Sequence, residues 1–412
     1  MDAKTIFNKV LSKITPPKNP AVSDFLLLFK KSCPFPFILG GSYAKNTHIG
    51  TTFDCDIFVQ FNTEKEITKL KTYVISFCKN HNASFIPIHG SRKYYRIFYK
   101  DVIFELVPVI AQKNLSDAKN IMDHSPFHVA WFIDAGGKNY SNDIRLLKQL
   151  FKANRVYGAE SYIGGFSGHV IDLLIIHYKG FIPTLNAIAS WKKTTLKSHK
   201  KIVIDVINAY KGKDVLFFMN ESKTQSPLVV VDPVLSERNA AAALHPLSFN
   251  RAIDIAKKCL TKPSLDLFEI NLLSLNMFPK NTISVIFKPV LGDLDTAGAK
   301  IKKAIEYAIT SLHKCGFEVK TYDWEWRTLP SHATCFFVFE SLTIPKTYIH
   351  KGPPIAQKNG VVAFKKKYSN TLIKNGFLYT KLSRKHTFAK DSLVEILSDL
   401  YVKERVSDVI VQ

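Results

Sequence analysis

The stretch Gly40–Gln60, GGSYAKNTHIGTTFDCDIFVQ, decides how this chain is read. A Gly-Gly-Ser turn opens it. After a short polar loop, Asp54-Cys55-Asp56 runs straight into the apolar Ile57-Phe58-Val59. Residues i and i+2 of a strand face the same way. Both carboxylates should therefore project from one face, and Cys55 from the other, into the core. Two like charges held that close repel unless a cation lies between them, and Mg²⁺ with bound phosphates is the usual occupant. Glycine at Gly41 lets the backbone come near a ligand, and N–H groups at such a turn can cradle phosphate oxygens. A phosphate cradle beside a two-carboxylate metal site is what nucleotidyl transfer needs.

Working outward, two strands are predicted at Tyr94–Tyr99 and Val102–Ile110, separated by Lys100-Asp101. The second carries Glu105 among Phe104, Leu106 and Val107. An acid in a buried strand is costly unless paired or metal-bound, so Glu105 is the natural third carboxylate. Upstream, residues 1–30 read as two helical segments broken at Thr15-Pro16-Pro17. Thr63–Cys78 reads as one helix with Ile67, Leu70, Val74 and Ile75 on a common side. A loop containing Asp123–His128 closes this part of the chain near Gly136-Gly137.

From Asn142 the pattern turns helical, and Gly168–Tyr178 is apolar nearly all round, as a buried helix is. Basic residues gather at Trp191–Lys201, and Leu228–Val231 reads as a strand ending at Asp232-Pro233. Beyond about residue 260, Thr282–Phe287 alternates like a strand. Residues 294–313 place Ile301, Ala304, Ile305, Ala308, Ile309 and Leu312 on one helical stripe. Strand signals return at Cys335–Phe339 and Phe377–Leu382, interrupted by His350–Pro354 and the basic Lys365–Lys367 beside Tyr368. That basic run is equally a solvated face or an RNA contact, with Tyr368 able to stack on a base or sugar.

Composition bounds the function. The chain has 412 residues, room for two to four domains at roughly 150 residues each. Its 57 basic against 34 acidic residues leave a net charge of +23, which implies a polyanionic partner such as nucleic acid. No apolar run approaches the roughly 20 residues of a membrane-spanning helix, and mean hydropathy is near zero. The start, MDAKTIFNKVLSK, has no secretory apolar region. The six cysteines show neither CxxC nor histidines at zinc spacing, so they read as reduced thiols of a cytoplasmic protein.

GSYAKNT followed by DCDIFV resembles the nucleotidyltransferase core shared with DNA polymerase beta. More narrowly, the chain is similar to the class I, archaeal-type CCA-adding enzymes. The likeness recurs at SPFH (125–128), IRLLKQLFKANRVYGAE (144–160), GFSGHVIDLLIIHY (165–178), VVDPVLSERNAAAAL (230–244) and HKGPP (350–354). The resemblance implies a multi-domain α+β chain: a catalytic head (1–138), a mainly helical neck (139–258) and an α+β body and tail (259–412) that binds tRNA. It implies that Asp54, Asp56 and Glu105 hold two Mg²⁺ ions, and that C, C and A are added to the tRNA 3′ end from CTP and ATP. Ser42 would contact the triphosphate, with Lys45 as a charge partner. His128, Lys148 and Tyr157 match the family's other nucleotide contacts, and Arg238 matches the arginine that helps choose CTP or ATP.

Read from the residues alone, His128 is a core or capping histidine, Lys148 an ordinary helix lysine and Tyr157 a core tyrosine. Arg238 could equally cap a helix or pair with Glu237. Two positions depart from the family pattern. Glu105 stands where the family has aspartate, which shifts the carboxylate by roughly 1–1.5 Å, and misplacement of that size can cost about a hundredfold in rate. Lys45 stands where arginine is usual, a point charge in place of a fork. The alternatives are another terminal RNA nucleotidyltransferase, adding only A or making poly(A)-like tails, and a tRNA-binding protein with an impaired site.

Overall fold

The computed structural model describes residues 2–50, 53–112, 114, 117–118, 120–195, 200–328 and 331–412. The chain forms two compact units, Met1–Ile270 and Asn271–Gln412. Four residues of the basic run at 191–201, those numbered 196–199, lie outside the described set.

The first unit begins with α1 (Ala3–Ile14), capped by the Asp2 side chain and ended ahead of Pro16-Pro17. Next comes α2 (Pro20–Ser32), with Asn19 as its cap and proline at its first position, where the missing N–H costs nothing. Strand β1 (Phe37–Leu39) leads into the short α3 (Gly41–Ala44), and β2 (Asp54–Phe61) follows. The expected single helix over 63–78 is instead α4 (Glu64–Ile67) and α5 (Leu70–His81), with the chain re-aimed at Thr68-Lys69. That break rotates α5, so Leu70, Val74, Phe77 and Cys78 are buried while Ile75 is 45% exposed. Strands β3 (Ser84–Ile88), β4 (Tyr94–Tyr99) and β5 (Val102–Ile110) complete a sheet in the order β1-β2-β5-β4-β3.

Strands β2 and β5 are central and parallel, and the other pairs run antiparallel. Their alternation sends Cys55, Ile57, Val59, Phe61, Phe104 and Leu106 to one face, under α2 and α5. There Phe25 stacks on Phe104 with ring centroids 3.8 Å apart. Each such buried phenylalanine contributes roughly 1.5–3 kcal/mol. The opposite face carries Asp54, Asp56 and Glu105, and farther along Phe58, Val107 and Val109 pack on Val129.

The expected loop at Asp123–His128 is a 3₁₀ turn (Ile121–His124) running into α6 (Ser125–Asp134), with Pro126 in the first helical turn. A layer of helices follows: α7 (Ser141–Ala153), α8 (Gly168–Tyr178) and α9 (Phe181–Ser190). Strand β6 (Ile202–Asp205), the short α10 (Val215–Phe218), β7 (Leu228–Val231) and α11 (Pro246–Thr261) complete the unit. The two strands pair in parallel. One apolar core binds α7, α8, α9 and α11, and takes in Val10 and Ile14 of α1 as well as Leu267 and Phe268.

In the second unit, β8 (Thr282–Pro289) and α12 (Leu294–Cys315) precede β9 (Val319–Thr328) and β10 (Ser331–Phe339). After β11 (Thr347–Pro354) come α13 (Lys358–Lys367), β12 (Thr371–Lys374) and β13 (Phe377–Ser383). The elements α14 (Ala389–Leu397), α15 (Leu400–Lys403) and β14 (Val406–Val411) end the chain. One sheet runs β14-β8-β10-β9 and a smaller one β11-β13-β12. The stripe read on residues 294–313 faces the first sheet, where Ile301, Ala304, Ile305, Ala308 and Leu312 are fully buried. His350–Pro354 belongs to β11, and Lys365–Lys367 form the last turn of α13. No described helix is long and apolar enough to cross a membrane.

Candidate active site

Strand register builds the site. Asp56 lies directly opposite Glu105 across the parallel pair β2–β5, and Asp54, two residues earlier, shares their face. Burial and the neighbouring charges of Glu105 and Asp54 push the Asp56 carboxyl up to about 7. Cys55 points the other way, is fully buried, and is pushed up to about 12 by that burial.

The backbone of the Gly-Gly turn presses on this face. Gly40 N–H donates to the Asp56 carbonyl at 2.7 Å. Gly41 has a φ of +54°, and a Cβ there would sit 1.6 Å from Asp56 Oδ2, so no other residue fits without moving the carboxylate.

Two lobes of a cleft, of about 420 and 490 Å³, meet at Asp56 and Glu105. The first is lined by Gly41, Lys45, His128 and Arg238 among others. The second is lined by Ser42, Asp54, Lys148 and Tyr157. Every candidate catalytic and nucleotide-binding residue thus borders one lobe or the other.

Their immediate partners were not legible in advance. Glu105 is held by Arg96 of β4, directly across the antiparallel pair, whose Nε donates to Oε1 at 3.0 Å. Among the described residues, Asp54, Asp56 and Glu105 do not bring one oxygen each within 4.8 Å of one another. Lys45 and Lys148 are both buried and share Asp172 of α8, at 3.0 and 3.7 Å. Burial alone would raise the Asp172 carboxyl, but the two ammonium groups hold it below its usual value. Lys148 also donates to the Thr47 hydroxyl and carbonyl, while Arg145 donates to Asn46 Oδ1 and the His48 carbonyl. Cations of α7 and α8's buried acid therefore clamp the loop that follows the glycine turn. Burial pushes Tyr157 up to about 12 and His48 down to about 4.

At the first lobe, Asp232 is fully buried and hydrogen-bonded to His128 and Arg238, with His169 Nε2 approaching to 3.4 Å. These two histidines and the aspartate are the one group among the described residues whose ligand atoms cluster as a metal site would need. Arg238 and the N–H groups of Val234 and Leu235 already occupy the carboxylate. The cluster is a hydrogen-bond hub, not a cation cage.

One sequence signal could have exposed these partners. His169 and Asp172 stand three apart in a helix otherwise apolar, hence on one face of α8. Similarly, the alternation of YYRIFY places Arg96 on the face opposite Tyr95 and Ile97, the face of Glu105.

Carboxylates on a central strand pair beside a glycine turn are the arrangement expected of a nucleotidyltransferase site, and two family models match the chain beyond it. Residues 142–269 match the tRNA nucleotidyltransferase second domain, and residues 283–411 match the CCA-adding enzyme C-terminal domain. The CCA-adding enzyme of Nanoarchaeum equitans is 33% identical over 365 residues, covering 88% of each chain. That of Methanosarcina mazei is 29% identical, over 89% of this chain and 80% of its own. The chain belongs to the CCA-adding enzyme family. A solved structure of Cid1, an RNA terminal uridylyl transferase, matches at 12% identity and a TM-score of 0.48, over 66% of this chain and 98% of its own.

Proposed function

We propose that the cleft at Asp56 and Glu105 is where this protein adds C, C and A to the 3′ end of tRNA from CTP and ATP, releasing pyrophosphate. The observation that carries this reading is the register of Asp56 against Glu105 on the sheet face left free of the aromatic core, with Asp54 beside them.

The donor set fits Mg²⁺. All three side chains are hard oxygen ligands. Burial first, and the charges of Glu105 and Asp54 next, raise the Asp56 carboxyl, a strain that a divalent cation would relieve. Asp54, Asp56 and Glu105 would hold the metal ions. Bound there, Mg²⁺ would supply Lewis-acid activation of the RNA 3′-hydroxyl and of the leaving pyrophosphate. Gly41 and Ser42 bring the turn close enough to contact the triphosphate. Lys45 and Lys148, fixed through Asp172, set positive potential at the two lobes. Tyr157 closes the second lobe, and His128 and Arg238 line the first. The excess of basic residues suits a grip on the phosphates and shape of the tRNA acceptor arm, independent of base sequence. We assign the reaction to the cytoplasm, and keep 1–138, 139–258 and 259–412 as its head, neck and body-tail.

The test is single-nucleotide extension of a tRNA trimmed of CCA, with Mg²⁺ and each triphosphate alone, then both. Two C additions with CTP, and a terminal A only when ATP is also present, are expected. Asp54→Ala and Asp56→Ala should each abolish extension while tRNA binding persists. A wild-type protein blind to CTP would overturn the reading.

A further inference from the structure

Glu105 stands in the middle of a row that crosses three strands. Asp56 of β2 is directly opposite it on one side, and Arg96 of β4 directly opposite on the other. Neighbouring strands are about 4.8 Å apart, so the glutamate has a possible partner within reach on either side. It is engaged by Arg96. Nε and Nη2 of the guanidinium both donate to Oε1, at 3.0 and 2.5 Å. Among the described residues, Arg96 has no other hydrogen-bond or ion-pair partner, and Oε2 of Glu105 accepts no hydrogen bond. The Arg96 side chain is 31% exposed and that of Glu105 14%, where the two lobes of the cleft meet.

A guanidinium fork facing a carboxylate frequently spreads over both oxygens. Here both donors fall on Oε1, so one oxygen is tied and the other is left to a cation. Glutamate also has one more rotatable bond than Asp54 and Asp56. Strand register therefore places its Cβ but not its carboxylate. Ordering that carboxylate costs side-chain entropy. Where an anchor has ordered it beforehand, a cation binds without meeting that cost again.

We infer that Arg96 is a positioning residue: by holding Oε1 it fixes the Glu105 carboxylate and leaves Oε2 for the divalent cation that Asp54 and Asp56 would share. This inference rests on the reading of the cleft as the site of metal-dependent nucleotidyl transfer. Charge alone predicts the opposite effect, since a guanidinium beside a cation site repels the cation. The need for an anchor belongs to the longer side chain, and should disappear in Glu105→Asp. The repulsion would persist there.

The experiment measures Mn²⁺ binding to the full-length protein with CTP and without tRNA, by electron paramagnetic resonance of the free ion, corrected for Mn²⁺ held by CTP alone. Arg96→Gln should weaken Mn²⁺ affinity about fivefold or more in the otherwise native chain, the scale of one side chain's lost order. In a Glu105→Asp background the same replacement should leave affinity unchanged or tighter. Arg96→Lys, which keeps the charge but loses the planar fork, should show a smaller loss of the same sign, and serves if Arg96→Gln does not fold. In extension of trimmed tRNA, the Mg²⁺ concentration giving half-maximal rate should rise in Arg96→Gln, while KM for CTP at saturating Mg²⁺ stays within about twofold. Mn²⁺ affinity that is unchanged or tighter in both Arg96 variants of the native chain, or weakened equally in the two backgrounds, would overturn the inference. A wild-type protein that binds no Mn²⁺ would overturn the cleft reading itself, and this inference with it.

Discussion

Replacing Asp172 by asparagine tests the clamp between the glycine-turn loop and the helical layer. The wild-type carboxylate is 2% exposed and lies 3.0 Å from Lys45 Nζ and 3.7 Å from Lys148 Nζ, themselves 7% and 3% exposed. At an effective dielectric of about 20, each attraction is worth roughly 4.5–5.5 kcal/mol before desolvation. Asparagine has nearly the same shape, so the variant loses charge without opening a cavity. Two ammonium groups then remain buried with no anion between them. Breaking a buried pair in this way costs about 3–5 kcal/mol.

Hydrogen exchange of the α7 and α8 amides, corrected for intrinsic rates, reads the loss directly as two to four orders of magnitude of protection, roughly. The pH dependence has a definite sign. Lys148 already lies below the usual lysine value because of burial, and losing Asp172 depresses it further. Below the unfolded-state value of about 10.4, the unfolded chain then binds more protons, so stability rises with pH. The deficit of the variant should therefore shrink between pH 7 and 10. A loss under about 1 kcal/mol at pH 7, or a deficit that widens as pH rises, would refute the argument.

Asp56 gives a second pH signature. With its folded value raised to about 7 from 3.8, its contribution to metal-free stability is present at acid pH and lost as pH climbs toward 7. Melting temperature without Mg²⁺ should fall across that window, added Mg²⁺ should restore it, and Asp56→Asn should flatten the dependence. Gly41→Ala forces a Cβ onto the Asp56 carboxylate at positive φ, so extension should fall at least about a hundredfold in a protein that still shows the wild-type circular dichroism. Affinity for tRNA, measured by filter binding, should drop about tenfold or more between 50 and 200 mM salt, and a flat response would contradict a phosphate-based grip.

Much of the site was legible because strand chemistry is local. Alternation by two assigned Asp54 and Asp56 to one face and Cys55 to the core with no knowledge of neighbours, whereas Glu105 stood out as an acid in an apolar strand and reached their face only through the β2–β5 register. Long periodic elements such as α8 and α12, and the strands Tyr94–Tyr99, Val102–Ile110 and Leu228–Val231, were equally plain. Short or interrupted elements were not. Apolar residues keep nearly helical spacing along the sequence through Thr68-Lys69, so the period alone predicts one helix where two exist and puts Ile75 on the buried side. The start of α6 reads as a loop because Asp123-His124-Ser125-Pro126 has the composition of a turn and also serves as a helix entry.

The sequence by itself marked Asp54, Asp56 and Glu105 as candidate metal ligands beside a glycine turn, since residue type and a two-residue repeat are written along the chain. Only the tertiary structure decided who neutralises whom. Arg96 finds Glu105 by antiparallel register, Lys45 finds Asp172 from 127 residues away, and His128 finds Asp232 from 104. Electrostatic balance in a buried site depends on distances of a few ångströms between segments far apart in the chain, and no local pattern encodes those distances.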